Sequence, residues 1–179
     1  LAKSGDYQVF LADIDERRPR QFLQDLTHES LHILPMDVGD EHALKTWLKH
    51  NEVQAILSAL PYQLTLAVAS IAVEAKLHYF DLTEDVPTQN KIMAIAADSQ
   101  SVFVPQCGVA PGLINIIAHS LIQPFEEVRD VKLRVGALPQ SIDNHLGYAR
   151  TWSTEGLVNE YLNSCQCIEN SHLVEKQGL

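Results

Sequence analysis

Gln8-Val9-Phe10-Leu11-Ala12-Asp13 decides the fold. Its apolar run is too short for a helix and stops on an acid, the pattern of a strand covered on both faces. The same kind of run recurs along the chain: Leu31 to Met36, ending at Asp37; Val53 to Ser58; His78-Tyr79-Phe80-Asp81; and Ser101 to Pro105. Helix-length segments lie between these runs: Arg17 to Leu26, a segment capped by Asp40-Glu41 through Leu48, Gln63 to Lys76, and Pro87 to Ser99. Strands alternating with helices across short connections mean βαβ units, and parallel strands require such crossovers. Residues 1–124 therefore read as one parallel-sheet α/β domain.

After Gly112, Leu113 to Ile122 reads as a helix leading away from the sheet. From Val128 the pattern changes. Val131-Lys132-Leu133-Arg134-Val135 alternates like a half-buried strand, and a loop rich in Pro, Gly and Asn follows. The boundary is placed near Pro124, with 125–179 as the start of a second α/β domain.

Composition narrows the function. A net charge of -10 points away from nucleic acid, where Lys and Arg must neutralise phosphates, and away from anionic membrane surfaces. No apolar run approaches the roughly 20 residues of a bilayer span. The chain opens without Met or a signal-peptide pattern, so its start reads as internal. Three cysteines make no disulfide framework and suit a reducing cytoplasm. Cys165-Gln166-Cys167 lacks a second ligand pair nearby. His28-Glu29-Ser30-Leu31-His32 has a zinc-protease spacing but straddles a turn rather than a helix face. No metal site is expected.

Asp13 carries the first chemical assignment. An acid directly after the second strand of a dinucleotide-binding (Rossmann) fold accepts hydrogen bonds from the adenosine ribose. The glycine-rich phosphate turn comes about twenty residues earlier in that fold, which places it ahead of Leu1. Leu1 to Gly5 then reads as the tail of the helix that turn opens, with Gly5 as C-cap. The expected fold is thus a Rossmann-type parallel sheet without its first strand and Gly-rich turn, leading into a partial substrate domain.

An acid here repels a 2'-phosphate and favours NAD over NADP, although Arg17 and Arg18 lie close enough in sequence to compensate. Asp37 occupies the equivalent place on the next strand, near the adenine. Ser58-Ala59-Leu60-Pro61 supplies small residues that let backbone approach the cofactor. The acids of Asp81-Leu82-Thr83-Glu84-Asp85 fall at a carboxyl strand edge facing the ligand crevice.

The later motifs add a family resemblance. Tyr79-Phe80-Asp81-Leu82-Thr83-Glu84, Cys107-Gly108-Val109-Ala110-Pro111-Gly112, Gly136-Ala137-Leu138-Pro139, Leu146-Gly147-Tyr148, and Trp152-Ser153-Thr154-Glu155-Gly156 with Glu160-Tyr161 together resemble the saccharopine dehydrogenase-like family. That family includes saccharopine reductases, lysine dehydrogenases and carboxynorspermidine-type dehydrogenases. The resemblance implies a Rossmann domain with a substrate and dimerisation domain, a homodimer, and NAD(P)-linked oxidation at a carbon bearing an amine. Two positions depart from the saccharopine reductase pattern: Ile114 stands where an Asp is expected and Val135 where a Cys is expected. They move the expected substrate toward the lysine dehydrogenase-like branch.

The residues give these motifs chemical sense. Pro111-Gly112 makes a tight turn from which a helix starts, with N–H groups available to an anionic group. Trp152 offers a flat apolar wall, and Glu155 or Glu160 a partner for a substrate ammonium. Tyr148 and Ser153 complete the expected substrate set, and Gly108 joins the cofactor set. Asp81, Glu84, Glu155, Glu160 and His145 are the candidate general acids or bases. Cys107 reads as a small packing residue, since hydride transfer needs no thiol nucleophile. The expected partner is an amino-acid-like small molecule. The alternative, motivated by Ile114 and Val135, is a nucleotide-binding member without catalysis. The chain by itself is expected to bind cofactor poorly and to be inactive.

Overall fold

The structure is a computed structural model, and it describes residues 1–24, 28–136, 139–141, 144–145, 147–149 and 154–178. A 3-10 turn, Ala2–Ser4, ends on Gly5 in the left-handed region (φ 80°), as a C-cap glycine does. Then follow β1 (Val9–Asp13), α1 (Arg17–Phe22), β2 (Leu31–Pro35), α2 (Glu41–His50), β3 (Ala55–Ser58), α3 (Tyr62–Ala75), β4 (His78–Asp81), α4 (Val86–Ala96), β5 (Phe103–Val104) and α5 (Leu113–Ile122). The C-terminal part adds α6 (Thr154–Leu162) and the strands β6 (Cys165–Glu169) and β7 (His172–Lys176).

Short polar side chains set where the helices begin. Asp40 accepts a hydrogen bond from Ala43 N at 3.0 Å to cap α2, and Asp85 accepts one from Thr88 N at 2.9 Å to cap α4. Pro87 sits in the first turn of α4, where its missing N–H costs nothing. Helix α3 stops at Lys76, which turns left-handed (φ 57°).

All pairings among β1 to β5 are parallel. They do not form one sheet: β1 pairs β2, and β3-β4-β5 form a second sheet. Among the described residues no strand joins β1 to β3, the place a dinucleotide fold gives to its first strand. The two sheets share helix α2. Phe10 of β1 stacks on His32 of β2 and meets Trp47 of α2 edge to face. Leu44 of α2 belongs to the core with Val68, Ile71, Leu77, Tyr79 and Ile92. Each large aliphatic side chain buried there contributes about 1.5–3 kcal/mol. Lys45 of α2 adds an ion pair to Glu74 of α3 at 2.8 Å.

The opposite faces are bare. Along β3, Ser58 is buried and Ile56 partly so, while Leu57 remains 62% exposed. Leu11 and Val104 are likewise exposed. Parallel sheets ordinarily carry helices on both faces.

One expected strand is absent. Residues 131–135 form no strand with any described residue, and every one of them is exposed. An alternating pattern makes a strand only where a neighbour takes its hydrogen bonds and covers one face. Here the segment runs beside α5, forming an open groove of about 770 Å³ with Ile114, Ile117, Leu121 and Phe125. The hairpin β6–β7, which the sequence reading did not anticipate, turns through Asn170 and Ser171, both at positive φ (50° and 64°).

Candidate functional site

In open α/β sheets ligands bind outside the carboxyl ends of the strands. Asp13, Ser58 and Asp81 all lie at those ends.

Asp13 is half-buried, and its Oδ1 accepts a hydrogen bond from Asp15 N at 2.8 Å. That bond forms the turn into α1. Arg17 is held by Asp15 through two bonds of 2.8 and 2.9 Å, which keep the Asp15 carboxyl down at about 2. Arg18, also exposed, is in no ion pair among the described residues. Asp37 is exposed, and its Oδ1 accepts from Gly39 N at 2.9 Å, an Asx turn leading to α2.

Ser58-Ala59-Leu60-Pro61 joins β3 to α3, with Pro61 capping the helix. The Ser58 hydroxyl is buried near the Tyr79 phenol without meeting hydrogen-bond geometry. Ser58 and Asp81 are register partners on adjacent strands.

Asp81 is 1% exposed. Its Oδ1 accepts from Thr83 N at 3.0 Å and Gln106 N at 3.1 Å, and its Oδ2 accepts from the Tyr79 hydroxyl at 3.0 Å. Its backbone carbonyl accepts from Cys107 N at 2.7 Å. Burial first, then the Asp81 charge, pushes the Tyr79 phenol far above the ordinary tyrosine range. Glu84 is partly buried in the adjoining turn.

The loop after β5 is folded on itself. Gln106 takes a left-handed φ of 62°, the Ala110–Pro111 bond is cis, and Gly108 bridges Gly112. Gly112 has φ 130°, and a Cβ there would collide with the carbonyl oxygens of Gly108 and Gln106. Only glycine suits this position. A Cβ on Gly108 would approach Pro111 O at 3.2 Å and Leu82 O at 3.9 Å, so the loops after β4 and β5 lie side by side.

The start of α5 corrects one expectation. Leu113 N donates to Gly108 O at 2.9 Å, Ile114 N to Val109 O at 3.0 Å, and Gly112 N to Asn115 Oδ1 at 3.3 Å. The loop's own carbonyls and the Asn115 side chain consume the N–H groups that were to face an anion. Pro111 and Gly112 shape the loop rather than open a helix terminus to a ligand.

Cys107 turns its Sγ toward Val104 O at 3.2 Å. Burial, and then the Asp81 charge, push its thiol pKa up. Tyr148 is partly buried and its carbonyl accepts from Asn144 Nδ2 at 2.9 Å; His145 is exposed. Trp152 and Ser153 lie outside the described residues, as do the side chains of Glu155 and Glu160 within α6. The structure therefore brings together Ser58, Asp81, Glu84 and Gly108. The sequence reading missed Tyr79 and Gln106 as partners of Asp81, and the two-residue offset from Tyr79 to Asp81 on one strand face was the available signal.

The donor set fits a dinucleotide in part. An acid ends β1, another lies just past β2 and small residues follow β3, while a phosphate-cradling turn is not found among the described residues.

Residues 1–104 match the family model described as the saccharopine dehydrogenase NADP binding domain, and residues 108–179 match the saccharopine dehydrogenase C-terminal domain. Residues 105–107 separate the two matched segments. The chain is 28% identical over 154 residues to a saccharopine dehydrogenase (NADP+, L-glutamate-forming) of Schizosaccharomyces pombe, covering 81% of this chain and 33% of that protein. It is 24% identical to the Pyricularia oryzae protein of the same name, with the same coverage. It is also 24% identical to the mitochondrial alpha-aminoadipic semialdehyde synthase of Mus musculus, covering 80% of this chain and 16% of that protein. The chain thus spans about a third of the length of the first two relatives. The matched domain is described as NADP binding, which turns the preference for NAD drawn from Asp13 toward the phosphorylated cofactor. No helix among the described residues is long and apolar enough to cross a membrane. On the two domain matches, the chain belongs to the saccharopine dehydrogenase family.

Proposed function

We propose that the protein containing this chain is an NADP-linked oxidoreductase acting on the CH–NH group of an amino acid or its secondary-amine conjugate. The observation that carries the reading is that Asp13 and Ser58 end the parallel strands β1 and β3, in a chain matching an NADP-binding domain. When bound, the nicotinamide accepts or donates the hydride at the carbon bearing nitrogen.

The chain's residues do the rest. Asp13 receives the ribose, and Arg18, exposed and five residues further along the chain, meets the 2'-phosphate that Asp13 alone would repel. Ser58 to Pro61 and Gly108 let backbone approach the cofactor, and Asp37 borders the adenine. Pro111 and Gly112 set the wall of the substrate space, with Tyr148, Trp152, Ser153 and Glu160 from the second domain. Glu84 and Glu155 are the residues proposed to exchange the amine proton. The whole protein is proposed to be a cytoplasmic homodimer taking a small amino-acid-like substrate.

A second reading, cofactor binding without turnover, is favoured by Ile114 and Val135, which replace the acid and thiol expected of saccharopine reductases.

The test is titration of the full-length protein with NADPH and NADH, followed by fluorescence, with and without Asp13→Ala. Binding of NADPH that the substitution weakens, followed by turnover of a secondary-amine amino acid, meets the proposal. Binding without turnover of any such substrate selects the second reading, and no binding of either cofactor defeats both.

A further inference from the structure

The acid at the carboxyl end of β4 has the position of a catalytic group and the surroundings of a fastener. A proton-transferring carboxylate needs an oxygen within reach of the substrate. Asp81 offers none: it is 1% exposed, Oδ1 holds the two amides Thr83 N and Gln106 N, and Oδ2 holds the Tyr79 hydroxyl. These bonds join three pieces of chain. Thr83 begins the loop after β4, Gln106 begins the loop after β5, and Tyr79 comes from the core side of β4.

The bond to Gln106 matters most. Gln106 adopts a left-handed φ of 62°, which a residue with a side chain holds only where its surroundings fix it. Asp81 supplies that fixing twice, through Oδ1 to Gln106 N and through its carbonyl to Cys107 N. Two residues on, a Cβ on Gly108 would lie 3.9 Å from the Leu82 carbonyl, so the loop fixed at Gln106 runs beside the loop after β4.

We propose that Asp81 is a positioning residue that fixes the Gln106–Gly112 loop against the carboxyl edge of the sheet, and so sets the wall of the substrate space. The substrate space rests on the proposed function; the fastening stands on the hydrogen bonds themselves.

The proposal separates two substitutions that a catalytic role would not. Asp81→Asn keeps an oxygen for the two amides, and its Nδ2 donates to the Tyr79 oxygen while the phenol turns to Thr65 O, already 3.4 Å away. Asp81→Ala removes every acceptor. In full-length protein, amide hydrogen exchange over 106–112 is expected to stay as slow in Asp81→Asn as in wild type and to become faster in Asp81→Ala. Turnover in Asp81→Asn is expected within about tenfold of wild type with its pH profile kept, whereas a misplaced wall in Asp81→Ala costs about 100-fold.

If Asp81→Asn keeps the loop protected yet loses a limb of the pH profile and falls to the level of Asp81→Ala, Asp81 transfers protons and the proposal is overturned. Rapid exchange in Asp81→Asn, or undiminished protection in Asp81→Ala, overturns it equally. Should Asp81→Ala fail to fold, the exchange and turnover of Asp81→Asn still decide. The exchange measurement needs no substrate, so a failure of the oxidoreductase reading leaves it intact and separately readable.

Discussion

The Tyr79 hydroxyl lies 3.0 Å from Asp81 Oδ2, and the two side chains, on one face of β4, are among the most deeply buried of the described residues. A phenol donating to a carboxylate in an apolar core stabilises only while both partners are present. Tyr79→Phe leaves the carboxylate oxygen without its donor, and the expected cost is about 1–3 kcal/mol in urea unfolding.

The same pair gives a pH dependence. The Tyr79 phenol is raised in the folded state, so its contribution is complete below the ordinary tyrosine value of about 10 and is lost as pH rises above it. Alkaline unfolding, followed by circular dichroism beside phenolate absorbance, should show one tyrosine of the five ionising only as the chain unfolds. A full tyrosine titration that precedes any loss of structure would contradict this.

Gly112→Ala places a Cβ against the Gly108 and Gln106 carbonyls and forces φ 130° on a residue that avoids it. The loop must rearrange, and a loss of about 1–3 kcal/mol is expected. Thermal unfolding and protease sensitivity of the 106–112 loop are the measurements; Gly136→Ala, where an added Cβ meets nothing within 4 Å, is the control.

Arg18→Ala is expected to weaken NADPH binding by the full-length protein about tenfold and to leave NADH binding nearly unchanged, the size of one charge-assisted phosphate contact. Arg17→Ala should do less, because Arg17 is already paired with Asp15. Equal losses for both cofactors would remove Arg18 from the 2'-phosphate.

Cys107 offers a chemical probe of the Asp81 charge. Its thiol pKa is raised by burial and by that charge, so alkylation at pH 8 should run slower than for an unhindered cysteine. Asp81→Asn removes the charge and should quicken the reaction; an unchanged rate would mean that the charge is not felt at the sulfur.

The sequence made the first half of the fold readable because each strand is a short apolar run and each helix carries a local stop or start. Helix α5 has the limits Leu113–Ile122 that its apolar run announces, and Gly5 caps its turn as a glycine at that place should. The misreading at 131–135 has a different origin: alternation reports which side chains share a face, not whether another strand is there to pair. The site was legible as a set of strand ends. Its internal bonds were not, because the bond from Asp81 to Gln106 joins residues 25 apart in the chain, and no periodicity encodes such a meeting. Nor did the Pro-Gly pair disclose that the carbonyls of its own loop would close the start of α5.

The split sheet has a practical consequence for anyone handling this chain in isolation. Among the described residues, β1 and β3 each leave one strand margin unpaired, flanked by the exposed Leu11 and Leu57. Such margins recruit whatever extended peptide is nearest, including another copy of themselves. Association of such margins grows with concentration, so turbidity of this chain is expected to rise as it is concentrated.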